Sequence, residues 1–271
     1  MAHHAREFAV MAADETTLYL VRHGDRFDYA NEDAWAAASK RVGFEHRDPP
    51  LSALGHQQAR EVALKLMNAT SGCKVDRLLV SPYLRVIQTA QPFAHASNLQ
   101  IEIEEGLAEV CHAPSTIPSA EARFPIFPEV SLSYRSALSV ATGAADSAGR
   151  PSEIYPLDYL RRNARFAQHI SKNYAGKTVV CFSHAASVAL VAALTQQSIV
   201  EANLKMAPCG IFKLVGRAGS AWRMEMHGGD NTTHISINSP TTFPWGFADS
   251  RSPAIHETWA SVVDEMARTS I

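Results

Sequence analysis

The feature that most constrains the fold is a run of β-favouring residues that ends abruptly in charged side chains. Leu18–Val21 is apolar or aromatic throughout, and Arg22, His23 and a glycine follow it directly, with Arg26 three residues after the histidine. Residues of this kind favour a strand that is buried in a sheet. The imidazole of His23 should therefore emerge from the end of a buried strand, between cationic side chains. Taken alone, the triplet is also consistent with a turn whose charges are solvated.

Two further segments of the chain repeat this arrangement. Val75–Val80 is predicted to be a strand, and the spacing after Pro82 predicts a helix that has this proline in its first turn and carries Arg85. Thr178–Phe182 is also predicted to be a strand, and His184 follows it at the start of an apolar helix. In open α/β sheets, ligands bind at the carboxyl ends of the strands. We therefore expect these strand ends to form one anion-binding site.

The rest of the chain alternates between helix and strand patterns. The predicted helices are Glu32–Lys40, Ser52–Met67, Tyr83–Ala96, Leu157–Tyr174, Ala185–Leu194 and Pro253–Ala267. The remaining predicted strands are Leu99–Glu104 and an antiparallel pair, Gly210–Val215 and Ala221–His227. Strands separated by helices form a largely parallel sheet that is covered on both faces. The prediction is an α/β fold with a mostly parallel mixed sheet and helices on both faces.

Length and composition favour one domain. The chain has 271 residues, of which 46% are hydrophobic, so it can bury a large core, and no shift in composition marks a second domain. We predict a disordered or added lead-in over residues 1–17 and a single domain over residues 18–271. Between about residues 105 and 151 the pattern dissolves into prolines, serines and small residues, which is typical of a lid or a mobile linker.

Net charge and cysteine spacing indicate which partners and which cellular location to expect. The net charge of -2 argues against a nucleic-acid surface, and the longest apolar helix is too short to span a bilayer, so we expect no membrane partner. The cysteines show no paired spacing, which favours reduced thiols and a cytoplasmic location. No set of Asp, His and Cys residues has metal-binding spacing, and we expect neither a metal nor another cofactor.

Taken in chain order, the motifs at the strand ends and between them resemble those of the histidine phosphatase superfamily. This superfamily also includes the cofactor-dependent phosphoglycerate mutases. The matching segments are Arg22–Gly24, Leu51–Ala59, Ser81–Arg85, Gln88–Ala90, Gly106–Glu109 and Ser183–Ala185. Within the superfamily, the segments most similar to the Sts-type phosphatase domains and the ecdysteroid-phosphate phosphatases are Arg22–Arg26, Asp48–Leu51 and Gly106–Glu109. The resemblance implies a phosphoglycerate mutase-like fold, in which the irregular insertion forms a lid, and phosphatase-type activity.

The resemblance also implies a role for each residue at the strand ends. His23 would be the nucleophile and would form a phosphohistidine that water hydrolyses. Arg22, Arg26 and Arg85 would clamp the phosphate, since guanidinium groups donate paired, charge-assisted hydrogen bonds to phosphate oxygens. For attack, one ring nitrogen of His23 must be unprotonated, so the other must donate its proton to a neighbour such as a backbone carbonyl. Taken singly, Arg26 and Arg85 are typical of surface charges.

Two further residues complete the implied site. His184 would contact the phosphoryl group and stabilise the transition state, and Glu109 would protonate the leaving oxygen and then activate water. On its own, His184 is also consistent with a helix-cap histidine, and Glu109 with an ordinary solvated carboxylate. The nearby alternatives to Glu109 are Glu102, Glu104, Glu105 and Glu121.

The expected function is that of a phosphomonoesterase. Arg26 and Tyr29 stand where phosphoglycerate mutases have a small hydroxyl residue and an asparagine, so mutase activity is the weaker alternative. A catalytically silent binding or scaffold module of the same fold is a third hypothesis. The candidate substrates are a small phosphorylated molecule, a steroid phosphate and a phosphotyrosine protein. A homodimer is expected by analogy with the Sts-type domains.

Substrate specificity should be decided outside the phosphate clamp. The regions concerned are the insertion and the neighbourhood of Asn31, Trp35 and Phe44. The aromatic side chains that could form an apolar wall for a large leaving group, or only pack the lid, are Tyr29, Trp35, Phe124 and Phe127.

Overall fold

The computed structural model describes residues 15–42, 47–110, 118–138, 140, 153, 155–249 and 254–269. The strands of these residues form one sheet and are β1 (Thr16–Arg22), β2 (Arg77–Val80), β3 (Glu102–Ile103), β4 (Thr178–Ser183), β5 (Ile211–Gly216) and β6 (Arg223–Met226). Their order across the sheet is β3-β2-β4-β1-β5-β6. β1, β4, β2 and β3 pair in parallel, whereas β5 pairs antiparallel with both β1 and β6. The predicted mixed sheet is thereby confirmed.

Seven α-helices are present in the described residues. They are α1 (Glu32–Val42), α2 (Ala53–Ala69), α3 (Leu84–Ser97), α4 (Ala120–Arg123), α5 (Leu157–Asn173), α6 (Val188–Thr195) and α7 (Ala254–Thr269). Short 3-10 turns occur at Phe27–Tyr29, Glu105–Leu107, Ala185–Ser187 and Phe247–Asp249. None of the helices in the described ranges has both the length and the apolar character that crossing a membrane requires.

The hydrophobic core lies on both faces of the sheet. In β1, Leu18 and Leu20 belong to one buried cluster, which includes side chains of α5, α6 and α7. Tyr19 and Val21 belong to a second cluster, which includes side chains of α2 and α3. This alternation follows from the two-residue period of a strand, and each fully buried leucine contributes roughly 1.5–3 kcal/mol. Helices therefore cover both faces, which confirms the predicted α/β class.

The loop after β1 packs closely on α2. A Cβ atom added to Gly55 would lie 2.1 Å from the carbonyl oxygen of Asp25, so only glycine permits this approach. The backbone amide of Asp25 donates to Oε1 of Gln58 at 2.9 Å, and the amide of Ser52 donates to the carbonyl of Asp25 at 3.0 Å. These contacts fix the backbone that follows His23.

Some element boundaries differ from the sequence prediction. The predicted strand Leu99–Glu104 shrinks to two residues because the backbone of Ile101 bonds to Glu129 and Ser131 of the insertion. The apolar helix after β4 begins three residues later than the predicted Ala185–Leu194, because a 3-10 turn precedes α6. Pro82 precedes the N-cap residue Tyr83 of α3 and is not in the first turn of that helix.

The insertion predicted at about residues 105–151 is described only in part. Within it, Phe127, Val130 and Val140 are buried in the second core cluster, so the described part packs against the sheet rather than extending as a free linker. Residues 111–117 and 141–152, and Phe44 of the predicted specificity region, lie outside the described residues. At the amino terminus, β1 already begins at Thr16, inside the predicted lead-in, of which residues 1–14 are likewise outside the described part.

Candidate active site

Sheet register brings three segments of the chain to one edge. Arg22 at the end of β1 lies beside Ser183 of β4, and Val80 at the end of β2 lies beside Phe182. The residue that follows each strand continues the parallel ladder. The amide of His23 donates to the carbonyl of Ser183 at 3.0 Å, and the amide of Ser81 donates to the carbonyl of Phe182 at 3.1 Å. His23, Ser81 and His184 therefore leave the same end of three adjacent strands.

The ring of His23 is held in one tautomer. Its Nδ1 lies 2.7 Å from the carbonyl oxygen of Gly24, and since a carbonyl only accepts, Nδ1 carries the proton and donates. Nε2 is then unprotonated. Burial, together with the charges of Arg85 and Arg22, holds the pKa of His23 well below its usual range. The imidazole is therefore neutral at pH 7, with a free electron pair on Nε2.

The ring of His184 is completely buried and faces His23. Their centroids are 5.4 Å apart in an edge-on arrangement. Nδ1 of His184 lies 3.2 Å from Nη2 of Arg85, which can only donate, so Nδ1 accepts and the proton sits on Nε2. Nε2 is 2.8 Å from Oγ of Ser81 and donates to it. Burial and the charge of Arg85 hold the pKa of His184 well below its usual range.

Arg85 is buried in the first turn of α3. The helix start is fixed by Asp48, whose Oδ1 accepts from the amide of Leu84 at 2.7 Å and whose other oxygen pairs with Arg123. Thr89 links the helix to the first motif, since its Oγ1 accepts from the amide of Gly24 at 3.1 Å and donates to the carbonyl of Arg85 at 2.7 Å. Nε and Nη1 of Arg85 have no hydrogen-bond partner among the described residues, although both are buried. Buried donors of a charged group without a partner are costly unless a ligand satisfies them.

Arg22 and Arg26 are arranged differently from each other. Nη1 of Arg22 donates to the carbonyls of Met206 at 2.8 Å and Phe243 at 2.9 Å, while its buried Nε finds no partner in the described part of the chain. Arg26 makes a two-pronged pair with Asp28, at 3.0 and 2.6 Å, and lies over the ring of Tyr29. Arg22 thus presents an open donor like those of Arg85. Arg26 borders the same cavity with its guanidinium already paired.

Glu109 is the carboxylate that lies beside His184. Its Oε2 lies 3.4 Å from Nδ1 of His184 and 3.8 Å from Nη2 of Arg85. Oε1 accepts from the amide of Val110 at 3.1 Å, and the side chain is 28% exposed, so it can exchange protons with solvent.

The other glutamates considered from the sequence have different surroundings. Glu104 accepts from the amide of Gly106 and from side chains of the insertion, and Glu105 accepts from the amide of Val140. Glu102 pairs with Arg77 on the sheet, and Glu121 is exposed. Of the five carboxylates, Glu109 borders the cavity.

Arg162 is a contributor that the sequence analysis did not single out. It is buried on α5 and pairs with Glu153. Its Nη2 donates to the carbonyl of Glu109 at 3.1 Å, and Nη1 lies within 3.1 Å of three more carbonyls, those of Glu105, Gly106 and Ala108. Arg162 therefore fixes the backbone that carries Glu109. A signal was present, since Arg162 occupies a position on the apolar stripe of α5 between Tyr159 and Phe166.

The cavity above His23 has a volume of about 530 Å³. It is lined by Arg22, His23, Arg26, Tyr29, Glu109, Val110, Tyr155, Ala185, Ala186, Thr241, Thr242, Phe243 and Trp245. Of the aromatic residues named from the sequence, Tyr29 lines it, Trp35 and Phe127 are core residues, and Phe124 is exposed elsewhere. The sequence analysis did not single out Tyr155, Phe243 and Trp245.

Within the described ranges, no group of three His, Cys, Asp or Glu side chains is placed to hold a metal ion.

Fold and site together define an α/β protein with two histidines and three arginines grouped at the carboxyl ends of its parallel strands. A sequence profile of the histidine phosphatase superfamily (branch 1) matches residues 18–228. The chain belongs to this superfamily.

Solved structures share the fold at low sequence identity. The ecdysone phosphate phosphatase from Bombix mori, solved with tungstate, is 20% identical with a TM-score of 0.60, over 83% of this chain and 95% of that chain. A mycobacterial glucosyl-3-phosphoglycerate phosphatase is 19% identical with a TM-score of 0.51, over 80% of this chain and 100% of that chain. Both similarities show that this chain shares the fold of these two proteins, in agreement with the fold that the resemblance implied.

A curated relative matches a shorter stretch. The transcription factor tau 55 kDa subunit of Saccharomyces cerevisiae is 30% identical over 93 residues. The match spans 34% of this chain and 20% of that protein.

Proposed function

We propose that this protein is a phosphomonoesterase that works through a phosphohistidine on His23 and needs no metal. The observation that carries the proposal is that His23 is buried and neutral, with an unprotonated Nε2. Beside it, Arg22 and Arg85 have guanidinium donors that no described group satisfies. Phosphoryl transfer needs an in-line nucleophile and compensation of the charge on the equatorial oxygens. This arrangement supports both requirements.

In the first step, Nε2 of His23 attacks phosphorus, the N–P bond forms and the P–O ester bond breaks. The leaving oxygen takes a proton from the carboxyl of Glu109, which neutralises the alkoxide as it forms. Arg22 and Arg85 donate to the equatorial oxygens, and Arg26 adds positive charge at the cavity wall. In the second step, Glu109 accepts a proton from water and the water oxygen attacks phosphorus. The N–P bond breaks, its electron pair returns to Nε2 of His23, and phosphate leaves.

His184 acts through the charge of the bound phosphate. At rest its Nδ1 accepts from Arg85 and the ring is neutral. A dianion placed beside the ring favours the imidazolium form, because opposite charges raise the pKa of a histidine. Protonated Nδ1 would then donate to a phosphoryl oxygen, and this bond would strengthen as charge builds on that oxygen in the transition state.

The cavity favours phosphatase activity over the alternatives. A mutase handling phosphoglycerates would bind small substrates with a second anionic group, whereas Tyr29 and Tyr155 give the opening an aromatic edge. A silent scaffold would retain the cost of buried, unsatisfied arginine donors without any gain from them. The names of the two neighbouring phosphatases refer to ecdysone phosphate and to glucosyl-3-phosphoglycerate. For this chain, the substrate is proposed to be a phosphate monoester, with steroid phosphates and phosphotyrosine proteins as candidates.

The proposal is tested with the purified chain and p-nitrophenyl phosphate. We expect hydrolysis that persists in EDTA and that vanadate, an analogue of pentacovalent phosphorus, inhibits competitively. Loss of activity in EDTA that added metal restores would contradict the metal-independent mechanism. No hydrolysis across a broad panel of phosphate esters would favour the scaffold, and transfer between phosphoglycerates with a bisphosphate primer would favour the mutase.

The acid role of Glu109 predicts a dependence on the leaving group. Glu109→Gln should lower kcat for alkyl phosphates by about 10²-fold, because their alkoxides need a proton, and should lower kcat for p-nitrophenyl phosphate far less. The measurement is kcat across esters of graded leaving-group acidity. Glu121→Gln, which alters an exposed carboxylate remote from the cavity, is the matched control. Equal losses on all esters would remove Glu109 from the acid role.

A further inference from the structure

A substantial part of the cavity wall comes from chain beyond the residues that the superfamily profile matches. The profile ends at residue 228, whereas Thr241, Thr242, Phe243 and Trp245 line the cavity. We name residues 236–245 the return segment, because they follow β6 and come back to the end of β1. The return segment therefore lies outside the part of the chain that the profile describes.

The amino-terminal half of the return segment is bound to α2. The amide of Ser236 donates to Oε2 of Glu61 at 3.0 Å, and the carbonyl of Ile237 accepts from Nε2 of Gln58 at 3.0 Å. Gln58 is the same residue whose Oε1 accepts from the amide of Asp25, two residues after His23. One buried glutamine therefore couples the return segment to the loop of the nucleophile.

The carboxyl-terminal half is bound to the first motif itself. The hydroxyl of Thr242 donates to Oδ1 of the buried Asp25 at 2.6 Å. Trp245 forms a two-way backbone bridge with Met206, at 2.9 and 3.2 Å. A Cβ atom on Gly246 would lie 1.9 Å from the carbonyl of Leu204, so glycine is required for the close approach at this end. The segment is thus held in place at both ends.

Phe243 contributes to the site in two ways. Its carbonyl accepts from Nη1 of Arg22, which helps to aim the remaining donors of that arginine. Its side chain is 63% exposed at the cavity opening, where Tyr29 and Tyr155 are 41% and 38% exposed. Single exposed apolar residues are common on protein surfaces, but large apolar side chains grouped around one opening indicate a binding surface.

We propose that the return segment is the specificity element of this active site, and that the Phe243 side chain packs against an apolar face on the alcohol portion of the ester. The inference rests on the proposed function and extends it. The guanidinium groups and His23 recognise a phosphate that all candidate substrates share. Discrimination must then come from the opening, where an apolar leaving group removes the ring of Phe243 from water.

The test compares 2-phenylethyl phosphate with ethyl phosphate, because their leaving oxygens have similar acidity and only the first has an apolar face. Phe243→Ala should lower the ratio of kcat/KM for the two esters about tenfold, through KM for the larger ester. Phe243→Leu, which retains apolar bulk, should recover most of the ratio. Ile126→Ala removes an exposed apolar side chain outside the cavity and should leave the ratio and the activity at the wild-type values.

A ratio in Phe243→Ala within twofold of the wild-type ratio would overturn the inference while leaving the phosphatase intact. Hydrolysis of neither ester by the wild-type protein would count against the proposed function instead. In that case, the dissociation constants of the same two esters, measured by calorimetry, decide the inference. The same tenfold change on Phe243→Ala would support it, and an unchanged ratio would refute it.

Discussion

Replacing His23 by alanine should lower kcat for p-nitrophenyl phosphate by at least about 10³-fold, because His23 lines the cavity with an unprotonated Nε2, whereas Nδ1 of His184 already accepts from Arg85. The residual activity would come from substrate binding and charge compensation alone. The measurement is steady-state hydrolysis combined with rapid quenching of the reaction with labelled substrate. The wild-type protein should trap an acid-labile, alkali-stable phosphoenzyme, and the variant should trap none.

The control for this experiment is His256→Ala, which removes an exposed imidazole on α7 and should not change the rate. Circular dichroism and thermal melting of His23→Ala establish that it is folded. Activity of a folded His23→Ala within tenfold of the wild type would contradict the nucleophile assignment, and with it the proposed mechanism.

Arg85→Lys should lower kcat/KM by about 10²-fold or more, although the charge is retained. The buried Nε and Nη1 of Arg85, which no described residue satisfies, are two donors that the planar guanidinium holds in fixed directions, and a lysine ammonium on a flexible stem cannot take both positions. The inhibition constant of vanadate should rise with the loss of kcat/KM, since these two donors act on the pentacovalent geometry. Both quantities are measured with the same ester.

The matched control is Arg77→Lys, which makes the same change on β2, where the guanidinium is 45% exposed and pairs with Glu102. It should keep the wild-type kcat/KM. A folded Arg85→Lys that loses less than tenfold in kcat/KM, with an unchanged vanadate constant, would show that Arg85 is not part of the phosphate clamp.

Much of the fold could be predicted from local patterns. The apolar runs that became β1, β2 and β4 are each buried, and the predicted helix Leu157–Tyr174 corresponds to α5 within one residue. Periodicity is set by residues that are close in sequence, so a single chain is enough to detect it. The extent of β3 could not be predicted in the same way, because the backbone of Ile101, inside the predicted strand, bonds to the distant Glu129 and Ser131.

For the candidate site, the sequence indicated which residues should converge but not how each is held. His23, His184, Arg85 and Glu109 do lie together, at the distances given above. Their catalytic roles stay predictions until the variants are measured. The sequence did not predict the pairing of Arg26 with Asp28. It also did not predict that Arg162 would hold the backbone at Glu109 by hydrogen bonds.

The sequence by itself determined the α/β class, the superfamily motifs and the chemistry available at the strand ends, because these depend on residue type and on spacing within a few turns. The tertiary structure alone decided which carboxylate lies beside His184, which arginine donors have no partner, and that the return segment lines the cavity. Thr242 and Asp25 are 217 positions apart, and Ser81 and His184 are 103 apart. Such contacts arise only when helices and strands pack, since no local pattern encodes the position of a partner so distant along the chain.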